Sequence, residues 1–226
     1  ILPAGSPLML YPVVGFCWCP VIPVMELSRI SNHFTCKTSS IQISTRTNDN
    51  CLTMIDCTLK DFDRDYCITH ETAHQWWYGL VGNNECEESY IDEGLTEYST
   101  LMFFDSHKEY GYSKNELLER VKNSYITIRT ALAKKGITTP NMKRNLGEFT
   151  SDLEYVSIAY YRSQIAFDNL YNFMGEKRFY KFLKEVIKEY KYKKINTKNL
   201  LSIAEKIKKG SKNLLENYIN GVAVVK

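Results

Sequence analysis

The chain has 226 residues, enough for one large domain or two small ones, and 29 basic against 26 acidic side chains leave it near neutral at +3. That balance implies no strong polyanion partner, and there is no uninterrupted apolar run of the roughly eighteen residues a spanning helix needs, so neither nucleic acid nor membrane is expected as a partner. Seven cysteines, an odd number, exclude a fully paired disulfide framework and point to the cytoplasm, unless a signal or anchor is carried upstream; oligomeric state is left open.

Residues 1 to 64 differ in composition from the rest. Five of the six prolines and six of the seven cysteines lie before His70, and charged residues are scarce before Arg46. Prolines at 3, 7, 12, 20 and 23 interrupt the apolar opening, which is therefore neither a signal core nor an anchor. Short β-like runs such as Ile41 to Thr45 sit between Ser, Thr and Asn-rich turns. The expected division is an irregular, β-containing segment over 1–64, incomplete or non-native, followed by a helical domain over 65–226.

The first strong motif is His70-Glu71-Thr72-Ala73-His74. On a helix, positions four apart share a face, so both imidazoles can meet one cation. Glu71 lies about 100° around the helix from His70, so its carboxylate can serve as a general base rather than a ligand. Ile68, Ala73 and Trp77 provide apolar cover, with Gly79 and Gly82 expected to end the segment. A second helix is predicted from Glu88 to Phe104, its stripe being Ile91, Leu95, Tyr98 and Met102. Glu93 lies on it, off the stripe, and supplies a third ligand if the two helices fold together. Three protein ligands with a fourth position left free describe a catalytic site for one zinc ion. Glu97, one turn beyond Glu93 on the same face, reads equally as a carboxylate backing a zinc histidine through its second ring nitrogen and as a solvated surface acid. Cys67, one turn before His70, reads as a small buried side chain and is not assigned as a ligand.

Downstream, Ser113 with Glu116 predicts a capping box opening a helix to about Lys135, closed by Gly136. Pro140 and Gly147 bracket a loop. Further helices are predicted from Ser157 to Gly175, from Glu176 to Tyr190, between Thr197 and Gly210, and between Ser211 and Gly221. The lysines of residues 176 to 213 alternate with apolar positions at helical spacing and read as solvated faces.

The run from His70 to Thr100 resembles the active-site region of the gluzincin zinc aminopeptidases, the family that includes aminopeptidase N. The family's H-E-x-x-H, eighteen residues, then Glu in W-L-N-E-G-x-A-x-Y corresponds here to Tyr90-Ile91-Asp92-Glu93-Gly94-Leu95-Thr96-Glu97-Tyr98. Trp76 and Gly79 match its H-x-W-x-x-G continuation. A second signature, Tyr-x-Lys-Gly, has its nearest match in Tyr160-Tyr161-Arg162-Ser163, with Arg for Lys and Ser for Gly. The resemblance spans Asp65 to Val225 and implies a mainly α, thermolysin-like metallopeptidase catalytic domain with a small β-containing N-terminal piece. It also implies one Zn2+ ion on His70, His74 and Glu93, Glu71 as proton acceptor, and peptide substrates. Tyr160 would donate to the oxyanion, with Tyr161 as the alternative if the register is off by one; a phenol suits that role because it is neutral and carries an O–H at pH 7. The family's G-x-M-E-N loop, which holds a peptide's free amino terminus, is not found upstream of His70. Release of N-terminal residues is the leading expectation, with an inactive zinc-binding remnant and an endopeptidase of the same fold as the other two readings.

Overall fold

Residues 40–44, 52–56 and 61–225 are described by a computed structural model of the chain, which is mainly α. Most of the expected N-terminal segment over 1–64 lies outside the described residues. What is described there is an antiparallel pair, β1 (Ser40–Ser44) and β2 (Leu52–Asp56), with Ser40 opposite Asp56. The β-like run read at Ile41 falls on β1.

Helix α1 (Asp61–Ala73) carries the first motif. It stops short of Gly79, although the His74 N–H still bonds the His70 carbonyl at 3.2 Å. The chain then turns back: the Gly79 N–H bonds the His74 carbonyl at 2.9 Å, and Tyr78 takes the left-handed conformation at φ 109°. The buried indole of Trp77 donates to Ser99 Oγ at 2.8 Å and ties the turn to the next long helix. Strand β3 (Val81–Gly82) follows and pairs in parallel with β4 (Lys193–Lys194).

A short helix, α2 (Glu85–Glu88), leads into α3 (Tyr90–Ser106), the centre of the molecule. The predicted stripe is too narrow for α3. Ile91, Leu95 and Tyr98 are buried, but so are Thr96, Glu97, Thr100, Leu101 and Phe104, while Met102 is only half-buried. A helix covered on nearly every side has no single apolar stripe. It packs on α1, on α4 (Lys114–Ala133) and on a long helical rod further along the chain.

Helix α4 opens with the predicted capping box, Ser113 Oγ accepting from the Glu116 N–H and Glu116 Oε2 accepting from the Ser113 N–H at 3.0 Å. The rod begins earlier than predicted because Ser151, not Ser157, is its N-cap. It runs as α5 (Asp152–Tyr155), a π-helical stretch over Val156–Arg162, and α6 (Ser163–Met174), ending at Gly175 with φ 79°. Buried Arg162 leaves the π stretch to bond the Tyr218 carbonyl, the Tyr125 hydroxyl and the Ala223 carbonyl at 3.0, 2.9 and 2.9 Å, clamping the C-terminal segment.

The remaining helices are α7 (Glu176–Tyr190), α8 (Thr197–Ile207) and α9 (Ser211–Ile219). Leu101, Phe104, Ile158, Leu170, Phe179 and Phe182 are closed to solvent, each burial contributing about 1.5–3 kcal/mol. No helix among the described residues is long and apolar enough to cross a membrane.

Candidate metal centre

The end of α1 and the first turn of α3 meet at one point. His70 Nε2 and His74 Nε2 stand 3.1 Å apart, and Glu93 Oε2 lies 3.4 Å from each. A tetrahedral zinc ion about 2.1 Å from N and O ligands holds those ligands about 3.4 Å from one another. The triangle therefore has the dimensions zinc requires. Its carboxylate corner, Glu93 Oε2, is buried and accepts no hydrogen bond, as expected of an atom shaped for a cation. Helix direction adds to the fit, because the carbonyl end of α1 favours positive charge and the N-terminal turn of α3 favours the Glu93 carboxylate.

Each ring is fixed from behind. His74 Nδ1 donates to the Trp77 carbonyl at 3.0 Å, with Thr96 Oγ1 3.2 Å away. His70 Nδ1 lies 2.9 Å from Glu97 Oε1, an ion-pair contact bent too far for a hydrogen bond. Both Nε2 atoms are thereby turned to the centre. No sequence pattern marks Trp77 and Thr96 as the groups behind His74. The turn that brings the Trp77 carbonyl round depends on Tyr78 adopting a conformation glycine normally marks.

Charge is concentrated here. Burial works against a charged His70, but Glu93 and Glu97 outweigh it and hold its pKa well above the usual imidazole value. His74 is likewise disfavoured as a cation by burial, yet Glu93 pushes its pKa up to about 9. For Glu93, burial opposes ionisation, and the two imidazoles override it to hold the carboxyl well below the usual range.

Glu71 is half-buried on α1 and makes no hydrogen bond or ion pair among the described residues, so its carboxylate is not tied up structurally. Tyr160, in the π stretch, donates to Glu93 Oε1 at 2.5 Å, its ring stacked 5.8 Å from that of His70. Burial and the Glu93 charge drive its pKa well above the phenol range, so it remains an O–H donor. Tyr161 points elsewhere, lining a small pocket with Phe62, Leu117 and Val121. The structure thus brings Tyr160 and not Tyr161 to the cluster. Cys67 lies outside the three-residue cluster, and burial first, then Glu71, raises its thiol to about 12. Behind Glu93, Asn83 Nδ2 donates to buried Asp92 at 2.7 Å and anchors the entry to α3.

Two solved structures share this arrangement of helices. The M1 zinc metallopeptidase of Deinococcus radiodurans, as a mutant bound to a Tyr-Ser-Ala substrate, superposes with a TM-score of 0.55 at 18% identity over 76% of this chain. A second structure of the M1 zinc metallopeptidase from the same organism gives 0.52 at 19% identity over 71% of this chain. This chain spans about a third of their length, 36% and 34% respectively. The family model described as the peptidase family M1 domain matches residues 47–220, running through both helices of the metal cluster and on past Tyr160. The chain belongs to peptidase family M1, a family of zinc metallopeptidases.

Proposed function

We propose that this chain hydrolyses peptide bonds at a zinc centre held by His70, His74 and Glu93, releasing residues from the N-terminus of its substrate. The observation that carries the reading is the triangle of two imidazole nitrogens and one carboxylate oxygen with edges of 3.1, 3.4 and 3.4 Å. Bound there, a zinc ion would supply Lewis-acid polarisation of the scissile carbonyl and acidify the attacking water.

The chain's own residues supply the rest. Glu71 accepts the proton of the attacking water and passes it to the departing amine, which requires a carboxylate free of structural partners. Tyr160 donates its O–H to the oxyanion that forms on the carbonyl. The same hydroxyl reaches Glu93 Oε1 in the resting site, so it lies beside the cation position. The His74 ring is kept from turning by the Trp77 carbonyl, and Glu97 stands behind His70. The tripeptide bound by the Deinococcus protein supports a short peptide as the substrate class.

Metal analysis with two substrates tests this reading. The purified protein should hold one zinc and cleave an aminoacyl reporter with a free amine but not an N-blocked peptide. Glu71→Gln should keep its zinc and lose about 10²–10⁴-fold in kcat. Cleavage of the blocked peptide alone would make the chain an endopeptidase. Zinc binding without turnover on either would make it an inactive remnant. Full activity in Glu71→Gln would overturn the mechanism.

A further inference from the structure

Glu97 is 1% exposed, yet it sits as a carboxylate acceptor among α1, α3 and α6 with no lysine or arginine paired to it among the described residues. Such a group is costly to bury unless donors surround it. Two side chains from other helices provide them. Tyr66 on α1, one turn before His70, donates its hydroxyl to Glu97 Oε2 at 2.6 Å. Gln164, two residues past the π stretch, directs its amide Nε2 at Glu97 Oε2 (3.0 Å), the Glu97 carbonyl (3.0 Å) and the Tyr66 hydroxyl (3.1 Å). Both are fully covered, Tyr66 at 2% and Gln164 at 0%. Both hydrogen bonds to the carboxylate itself fall on Oε2, which leaves Oε1 facing His70 Nδ1 at 2.9 Å.

From this division of the two oxygens we infer that Tyr66 and Gln164 are positioning residues of the metal centre. They hold the Glu97 carboxylate in one orientation, and Glu97 in turn holds the His70 ring with Nε2 toward the cation. The inference rests on the zinc reading above and extends it to two residues that touch neither metal nor substrate. The arrangement joins three helices at one carboxylate. Tyr66 comes from α1, which carries His70 and ends just before His74, Glu97 from the helix that carries Glu93, and Gln164 from the rod that carries Tyr160. Losing either donor frees Glu97 to rotate and His70 with it. Outer partners of this kind are worth about 10–100-fold in metal affinity.

The test is zinc affinity measured on folded protein by competition with a chromophoric chelator, beside the cobalt-substituted absorption spectrum and the melting temperature of the zinc-free form. Tyr66→Phe keeps the ring and removes only the hydroxyl; it should bind zinc at least about tenfold more weakly and shift the cobalt ligand-field bands. Gln164→Met repeats the test from α6 should the first variant fail to fold. Tyr98→Phe is the control, because its hydroxyl is equally buried but donates to Asp168 at 3.2 Å. It should lower the melting temperature and leave zinc affinity unchanged. Tight zinc binding by the wild type with wild-type affinity and spectrum in both Tyr66→Phe and Gln164→Met would overturn this inference alone. A wild-type chain that binds no zinc would remove the metal reading and this one with it.

Discussion

Replacing Gly94 by alanine would put a Cβ 2.6 Å from Ser163 Cβ, 2.7 Å from Ser163 Oγ and 2.9 Å from Phe167 Cε2. Carbon atoms rest at about 3.5–4.0 Å, so α3 and α6 would have to part by about 1 Å. Overpacking of this kind costs about 1–3 kcal/mol. For a domain of this size each kcal/mol is worth about 2–4 °C, so the melting temperature should drop by about 2–12 °C. The larger effect is on the site, because Glu93 precedes Gly94 on α3 and Tyr160 lies on the rod just before Ser163. Opening the helices by about 1 Å stretches the 2.5 Å Tyr160–Glu93 bond to the edge of hydrogen-bond range. A displacement of that size costs about 100-fold in turnover. Calorimetry and kcat on the reporter substrate measure both effects. Ser163→Gly in the same chain removes two of the three clashing atoms and should restore most of each loss. Ser163→Gly alone is the reference, since Ser163 Oγ also donates to the Tyr160 carbonyl at 2.8 Å inside the π stretch. An alanine variant as stable and active as wild type, or a double variant no better than the single one, would refute helix spacing as the quantity that sets the site.

Tyr160→Phe should retain zinc and lose about 10²–10³-fold in kcat, the usual loss on removing one oxyanion donor; a collapse of zinc affinity with unchanged kcat on the loaded enzyme would make the hydroxyl a support for Glu93 instead. The zinc-free protein should lose stability as pH rises. The folded-state pKa of His74, about 9, lies above the ordinary value of about 6.5, so its stabilisation is complete below about 6.5 and disappears through about 9, and His70 shifts in the same direction. Glu93 is shifted down, so its contribution persists across that window and fades only in strong acid. Melting curves of metal-free protein from pH 5 to 9.5 should therefore be level and then decline; a melting temperature that climbs between pH 6.5 and 9 would contradict the charge arrangement.

Helical spacing makes part of the candidate site legible in the sequence. His70, His74, Glu93 and Glu97 each relate to a neighbour one turn away, and the i to i+4 rule places such pairs on one face wherever the helix goes. The same rule says nothing about Gln164, whose partner Tyr66 lies 98 residues earlier. Their meeting is decided by how α1 and α6 pack, and neither residue breaks a local pattern that would draw attention. Resemblance alone singles out Tyr160, since two adjacent tyrosines look alike to any periodicity. What separates them is the π-helical widening over Val156–Arg162, which aims Tyr160 at Glu93 and Tyr161 at the pocket beside Leu117. π-helical turns often accompany functional sites, and this one has no glycine or proline to announce it. The turn after His74 misleads in the opposite way: Gly79 marks it in the sequence, but Tyr78 carries the positive φ. A bulky residue there is strained, and strain persists only where the surroundings impose it. The buried Trp77 indole on Ser99 and the Gly79 N–H on the His74 carbonyl are those surroundings. The strained turn brings the Trp77 carbonyl to His74 Nδ1, so the position that defeats the glycine rule is also the one that orients a ring of the candidate metal cluster.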